Sequence, residues 1–134
     1  MLNRLNHIAV AVTNLDVGIK IYKDIFGVQI SKKLALPKHG VTTVFVKLCN
    51  TNIELLEPLG KDSPISNFLI KNPSGGVHHL CYEVSNVKES SEYLVNKGYK
   101  VLGDGIPREG AHGKPVIFLH PKQFLGTLIE LEEI

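Results

Sequence analysis

His7-Ile8-Ala9-Val10-Ala11-Val12-Thr13-Asn14-Leu15 reads in parallel with His79-Leu80-Cys81-Tyr82-Glu83-Val84-Ser85-Asn86-Val87, at a constant separation of 72 residues. Each stretch is a histidine, a run of strand character, a hydroxyl residue, an asparagine and an aliphatic. An internal repeat governs how every later residue is read. After each stretch the pattern turns helical. Leu15, Ile19, Tyr22 and Phe26 recur at spacings of three and four, and Val87, Tyr93 and Leu94 do so less regularly. Thr13 or Asn14, and Ser85 or Asn86, supply the N-caps. Gly27 and Gly98 suit the left-handed position just past a helix end.

The parallel extends to both ends of each copy. Short strands are expected at residues 28–30 and 99–101, then loops rich in Pro, Gly and His at 37–40 and 107–113. A strand at 41–48 matches one at 116–120, and turns at 49–52 and 121–126 follow. Last come Asn52-Ile53-Glu54-Leu55-Leu56-Glu57 and Leu128-Ile129-Glu130-Leu131-Glu132-Glu133. The order is strand, helix and three strands, twice, which predicts an α+β fold of two tandem βαβββ modules. The modules span about 3–58 and 77–134 of a single domain covering 1–134, with a linker at 59–76. Within the linker, Asp62-Ser63-Pro64 predicts an N-cap and a proline at the first helical position, opening a short helix to about residue 71. Matched apolar faces predict one shared core.

Composition narrows the class. The chain has 134 residues, 43% hydrophobic and 21% charged, enough apolar side chain to exclude disorder. Its apolar runs are too short to span a bilayer, so no membrane partner is expected. The net charge is +2, Trp is absent and no basic cluster is interleaved with aromatics, so nucleic acid is not an expected partner. Cys49 and Cys81 form no CxxC pair and both fall in strand-like segments, which fits a reducing compartment. The first residues lack the pattern of a secretory signal and of an Arg-rich presequence. The expected location is the bacterial cytoplasm, or the mitochondrial matrix for a trimmed form.

The repeat places four ionisable residues in register. His7 and His79 open the two first strands, and Glu54 and Glu130 sit in the two last strands. All four lie in apolar runs, where an ionisable group is costly unless paired or metal-bound. Two imidazoles and two carboxylates on one concave surface would suit a divalent ion: Co²⁺, Mn²⁺, Ni²⁺, Zn²⁺ or Fe²⁺. A site without thiolates and with open positions is catalytic in character. His78, next to His79, is expected on the opposite face of its strand in a structural role.

These features resemble the vicinal oxygen chelate superfamily of glyoxalase I, extradiol dioxygenases and antibiotic-resistance proteins. Within it the chain is most similar to the methylmalonyl-CoA epimerases, over essentially its whole length. The resemblance is carried by Leu5-Asn6-His7-Ile8-Ala9-Val10-Ala11-Val12, His39-Gly40-Val41, Ile53-Glu54-Leu55-Leu56-Glu57-Pro58-Leu59 and Gly75-Gly76-Val77-His78-His79-Leu80-Cys81. The most specific segment is Gly110-Ala111-His112-Gly113-Lys114-Pro115-Val116-Ile117-Phe118-Leu119-His120-Pro121-Lys122.

The resemblance implies a cup-shaped mixed sheet and a divalent metal, Co²⁺ by preference, on His7, His79 and Glu130, with Glu54 as fourth ligand. It implies a CoA thioester substrate, a homodimer, and interconversion of (R)- and (S)-methylmalonyl-CoA through a metal-stabilised enolate. Removal and return of the C2 proton would need a base on each face of the carbon. Glu130 is the expected ligand that also exchanges protons, with Glu54 opposite as ligand or second base. Some bacterial members carry a glutamate base where this chain has Thr43. His112 and Lys114, in the polar loop at 108–114, and Lys122 are expected substrate contacts, near the acyl carboxylate or the pantetheine arm. A glyoxalase I-type isomerase of glutathione hemithioacetals would use the same metal. A non-catalytic binding module of the resistance type would need no full ligand set.

Overall fold

Both histidine-led stretches are strands. In the computed structural model, which describes residues 1–134, β1 is Leu2–Ala11 and β5 is Gly76–Val84. Helix α1 (Leu15–Lys20) follows the first and α3 (Val87–Asn96) the second. Then come β2 (Leu34–Leu36), β3 (Val41–Lys47) and β4 (Asn52–Pro58) in one half. The other half has β6 (Arg108–Glu109), β7 (Pro115–Leu119) and β8 (Ile129–Glu133). Helix α2 (Ser66–Lys71) lies between the halves in sequence. The fold class is α+β, with the βαβββ order present twice.

Contacts divide the chain into two compact units, His7–His78 and the combination of Met1–Asn6 with His79–Ile134. We call them the His7 unit and the His79 unit. In the His7 unit β1 pairs parallel with β4, and β3 lies antiparallel between β4 and β2. In the His79 unit β5 pairs parallel with β8, and β7 lies antiparallel between β8 and β6. Leu15, Val44, Val46 and Leu55 fill the His7 unit beneath α1. Ala9, Ala11, Val41 and Leu56 form a second cluster with Ile65 and Leu69 at α2. The His79 unit has one apolar cluster, Val84, Val87, Leu94, Ile117, Leu119 and Leu131, beneath α3.

The helices are anchored identically. Of the N-cap alternatives, the structure uses Asn14, whose side chain accepts from Val17 N, and Asn86, which accepts from Glu89 N. The first N–H of each helix also donates to a glutamate at the end of its unit's last strand. Leu15 N donates to Glu57 Oε2 at 2.7 Å, and Val87 N to Glu133 Oε2 at 2.9 Å. A carboxylate there satisfies an orphan donor and favours the positive end of the helix. Gly27 and Gly98 adopt φ of 65° and 84°, the left-handed turn expected of them.

Several local expectations are corrected. The strands expected at 28–30 and 99–101 shrink to single bridges, Ile30 with Val46 and Val101 with Leu119. The chain then diverges and pairs later, at β2 and β6. Helix α2 opens at Ser66 without a side-chain cap, not at Ser63-Pro64. Pro64 packs instead on Gly40, where an added Cβ would stand 3.0 Å from Pro64 Cδ. A π turn at Ile21–Ile25 prolongs α1. The extra residue in that turn rotates Phe26 out of the apolar stripe, leaving it 62% exposed. In α3 the buried stripe is Val87, Ser90, Ser91 and Leu94. Tyr93 is exposed because its spacing of six from Val87 falls off that face. Cys49 is exposed in the turn after β3, whereas Cys81 is buried; both are free thiols.

Candidate active site

Each unit builds the same histidine–carboxylate pair from the same strand register. In the His7 unit, His7 on β1 lies opposite Asn52 and Ala9 opposite Glu54. The parallel pairing therefore brings Glu54 diagonally to His7, with Nε2 and Oε2 3.2 Å apart. In the His79 unit Cys81 lies opposite Glu130, and the same diagonal brings His79 Nε2 to 3.1 Å from Glu130 Oε2. Phe45 lies opposite Glu54 on the antiparallel neighbour, as Phe118 lies opposite Glu130. Each phenylalanine stands edge-on to its unit's imidazole, at 5.8 Å and 79° for His7 and 5.5 Å and 86° for His79. All four polar side chains are at most 7% exposed.

The pairs fit a metal. Cis ligands about 2.1 Å from an octahedral ion stand roughly 3 Å apart, close to both nitrogen–oxygen separations. Imidazole nitrogen and carboxylate oxygen are the donor types that borderline divalent ions take. A buried carboxylate is costly without a cation, which a bound ion would supply.

The units differ in what surrounds the pair. In the His7 unit, the Thr43 hydroxyl lies 2.9 Å from both Glu54 Oε1 and the Leu55 carbonyl. Its single proton serves those two acceptors, and the side chain is fully buried. The equivalent place on β7 is held by Val116, opposite Glu132 as Thr43 is opposite Leu56. In the His79 unit, Glu83 and Glu132 are also buried, directly opposite one another on β5 and β8. Two like charges so placed repel. Asn6 Nδ2 offsets this by donating to Glu83 Oε1 at 2.9 Å and Glu132 Oε1 at 3.1 Å. Arg4 Nε donates to Glu83 Oε2 at 2.8 Å. The Arg4 hydrogen bond holds the Glu83 carboxyl below the usual glutamate range against the opposing effect of burial, with help from Asn6 and the charges of Arg4 and Lys114.

His112 joins this network. Its Nδ1 lies 2.9 and 3.1 Å from the two oxygens of Glu132. It rides on a tight turn closed by Gly113 N to Gly110 O at 3.0 Å and by Gly110 N to Lys114 O at 2.8 Å. Gly110 is required there, since a Cβ would come within 2.6 Å of Val116 Cγ1. Lys114 follows on the same loop and is exposed. Lys122 is exposed on a separate turn, Pro121–Gln123, where its backbone N–H donates to His120 Nδ1. His78 stands edge-on to Phe68, 5.1 Å between ring centres, as befits a packing residue.

Sequence reading missed Arg4, Asn6, Glu83 and Glu132. A signal was present in the even spacing, because Glu132 shares the face of Glu130, and Glu83 that of His79.

Residues 6–118 match the model of the glyoxalase/bleomycin resistance protein/dioxygenase superfamily. The chain is 51% identical to ethylmalonyl-CoA/methylmalonyl-CoA epimerase of Cereibacter sphaeroides, over 100% of both chains. It is 52% identical to the human mitochondrial methylmalonyl-CoA epimerase, over 98% of this chain and 74% of that one. A Streptomyces coelicolor methylmalonyl-CoA epimerase variant, solved with 2-nitronate-propionyl-CoA, superposes with a TM-score of 0.92 at 32% identity. That match covers 99% of this chain and 95% of the other.

Proposed function

The chain belongs to the glyoxalase/bleomycin resistance protein/dioxygenase superfamily, and we propose that it is an isomerase interconverting (R)- and (S)-methylmalonyl-CoA by proton transfer at C2. The observation that carries this reading is the buried histidine–glutamate pair, made twice with one geometry. Full-length identity to curated epimerases supports the substrate assignment. His7, Glu54, His79 and Glu130 together are assigned to one divalent ion, Co²⁺ by preference. When bound, that ion supplies Lewis acidity that stabilises negative charge developing on the thioester oxygen.

The chain's own residues do the rest. The histidines hold their nitrogens toward the carboxylates and are kept upright by Phe45 and Phe118. Glu130 exchanges the C2 proton at one face. Thr43 fixes one oxygen of Glu54, leaving the other directed at His7. The second face falls to Glu54 or to a group outside the ligand set. Low exposure around each pair excludes water and strengthens the electrostatics. His112, Lys114 and Lys122 are assigned to the anionic parts of the substrate. The protein is assigned as a homodimer of the bacterial cytoplasm or mitochondrial matrix.

The test is proton NMR of methylmalonyl-CoA in D₂O with metal-loaded protein. The C2 proton signal should disappear, and His79→Ala should abolish that loss. A loaded protein that leaves the signal intact would contradict the reading and favour a glutathione hemithioacetal as substrate.

A further inference from the structure

Resting on that reading, we propose that His112, held by Glu132, is the proton-transfer group at one face of C2, with Glu54 confined to ligand duty. The motive is chemical. Both oxygens of Glu54 are engaged, Oε1 by the Thr43 hydroxyl at 2.9 Å and Oε2 by His7 Nε2 at 3.2 Å, which holds that carboxylate to the ligand site. Thr43 cannot act as base near neutral pH, because its hydroxyl holds its proton and spends it on Glu54 and Leu55. A base outside the ligand set is therefore wanted.

His112 is built for the task. Glu132 is 2% exposed and already receives Asn6, so it acts as acceptor toward the imidazole. Nδ1 must then carry the proton, and Nε2 is the basic nitrogen, directed away from Glu132. A buried carboxylate that fixes the tautomer and stabilises the imidazolium is the arrangement that activates histidine in hydrolytic triads. The anchor is itself secured through Asn6, Glu83 and Arg4. Glu132 stands two residues from Glu130 on the same face of β8, so the dyad adjoins the reacting carboxylate within one unit. The His112 side chain is 31% exposed, which leaves it open to a ligand entering over the Gly110–Gly113 turn.

In the step, the C2–H bond breaks. Its electron pair passes to the enolate and its proton to His112 Nε2. Protonated Glu130 returns a proton to the opposite side of C2, and solvent resets both groups. The reverse direction exchanges the two roles. Glu132 is a positioning residue and is not consumed.

The experiment follows each stereoisomer separately in D₂O, scoring C2 deuteration and inversion, for wild type, His112→Ala and Glu54→Gln, all loaded with metal. With His112→Ala, inversion should fall about 100-fold, the usual scale for a general base. One stereoisomer should lose exchange by the same factor, while the other, deprotonated by Glu130, should still exchange within about threefold of wild type without inverting. Glu54→Gln, which removes a ligand, should lower exchange of the two isomers by the same factor, whereas a base at Glu54 would lose one isomer selectively. Inversion by His112→Ala within about threefold of wild type, or equal loss of exchange from both isomers in that variant, overturns the proposal. A raised KM at unchanged kcat does the same, reducing His112 to a binding contact. An inert wild type would instead sink the epimerase reading itself. For the positioning role, ¹⁵N NMR of the His112 ring should show the Nδ1–H tautomer in wild type and a mixture in Glu132→Gln. An unchanged tautomer in that variant removes Glu132 from the assignment.

Discussion

The His7 and His79 units share a frame and differ in what they build on it. Both place a histidine on the first strand, a glutamate diagonally across on the last, and a phenylalanine edge-on beside them. Both tie the helix to the last strand by a glutamate on its first N–H. Beyond the pair they part. Ala11 and Leu56 of the His7 unit pack against Ile65 and Leu69 in an apolar cluster. At the equivalent positions the His79 unit carries Glu83 and Glu132, held by Arg4, Asn6 and His112. Duplication preserved the geometry of the histidine–glutamate pair. Divergence gave one half an apolar cluster and the other a charged, hydrogen-bonded network.

The comparison can be strained at equivalent positions. Leu55 and Leu131 are each 1% exposed, one in each core. Truncating either to alanine should cost about 2–5 kcal/mol, read by urea unfolding. Similar losses would show that the two cores carry the fold jointly, and a loss confined to one would show that the other half folds around it. Thr43→Val should cost about 1–3 kcal/mol by stripping a donor from buried Glu54. Val116→Thr is the control in the other unit, and an equal penalty there would argue against a specific role for Thr43.

Smaller effects test the shared frame and the divergent network. Glu57→Ala and Glu133→Ala should each cost about 1 kcal/mol, as loss of a helix cap does. Unequal costs would show that the two anchors are not equivalent. The least effect concerns acid. Glu83 titrates below its ordinary range in the folded protein. Its contribution is thus present above the unfolded glutamate value and fades as pH falls through the lowered folded one. Arg4→Ala should shrink the drop in Tm between pH 7 and pH 3, because the hydrogen bond that lowers the Glu83 value is gone. An unchanged drop would contradict the assignment of that shift to Arg4.

Much of this was legible in the sequence, for a physical reason. A repeat that keeps His7 with His79 and Glu54 with Glu130 in register also keeps strand pairing in register. The diagonal contact then follows from parallel pairing alone. What escaped was set by neighbours far along the chain. Ser90 and Ser91 line the buried face of α3, a polar stripe that hydrophobic spacing does not count. Phe26 was lost to a π turn that no residue type announces. The Arg4–Asn6–Glu83–Glu132–His112 chain joins segments up to 126 residues apart. Its acidic members, Glu83 and Glu132, were visible only by their even spacing, four and two residues, from His79 and Glu130.

The central claim is that two equivalent pairs serve one ion. The direct measurement is metal content per chain after Co²⁺ loading and desalting, for wild type, His7→Ala and His79→Ala. The claim expects about one ion per chain in wild type and loss of tight binding in both variants alike, beyond the roughly 10–100-fold that indirect neighbours cost. Two ions per wild-type chain, or full retention when either histidine is removed, would contradict it.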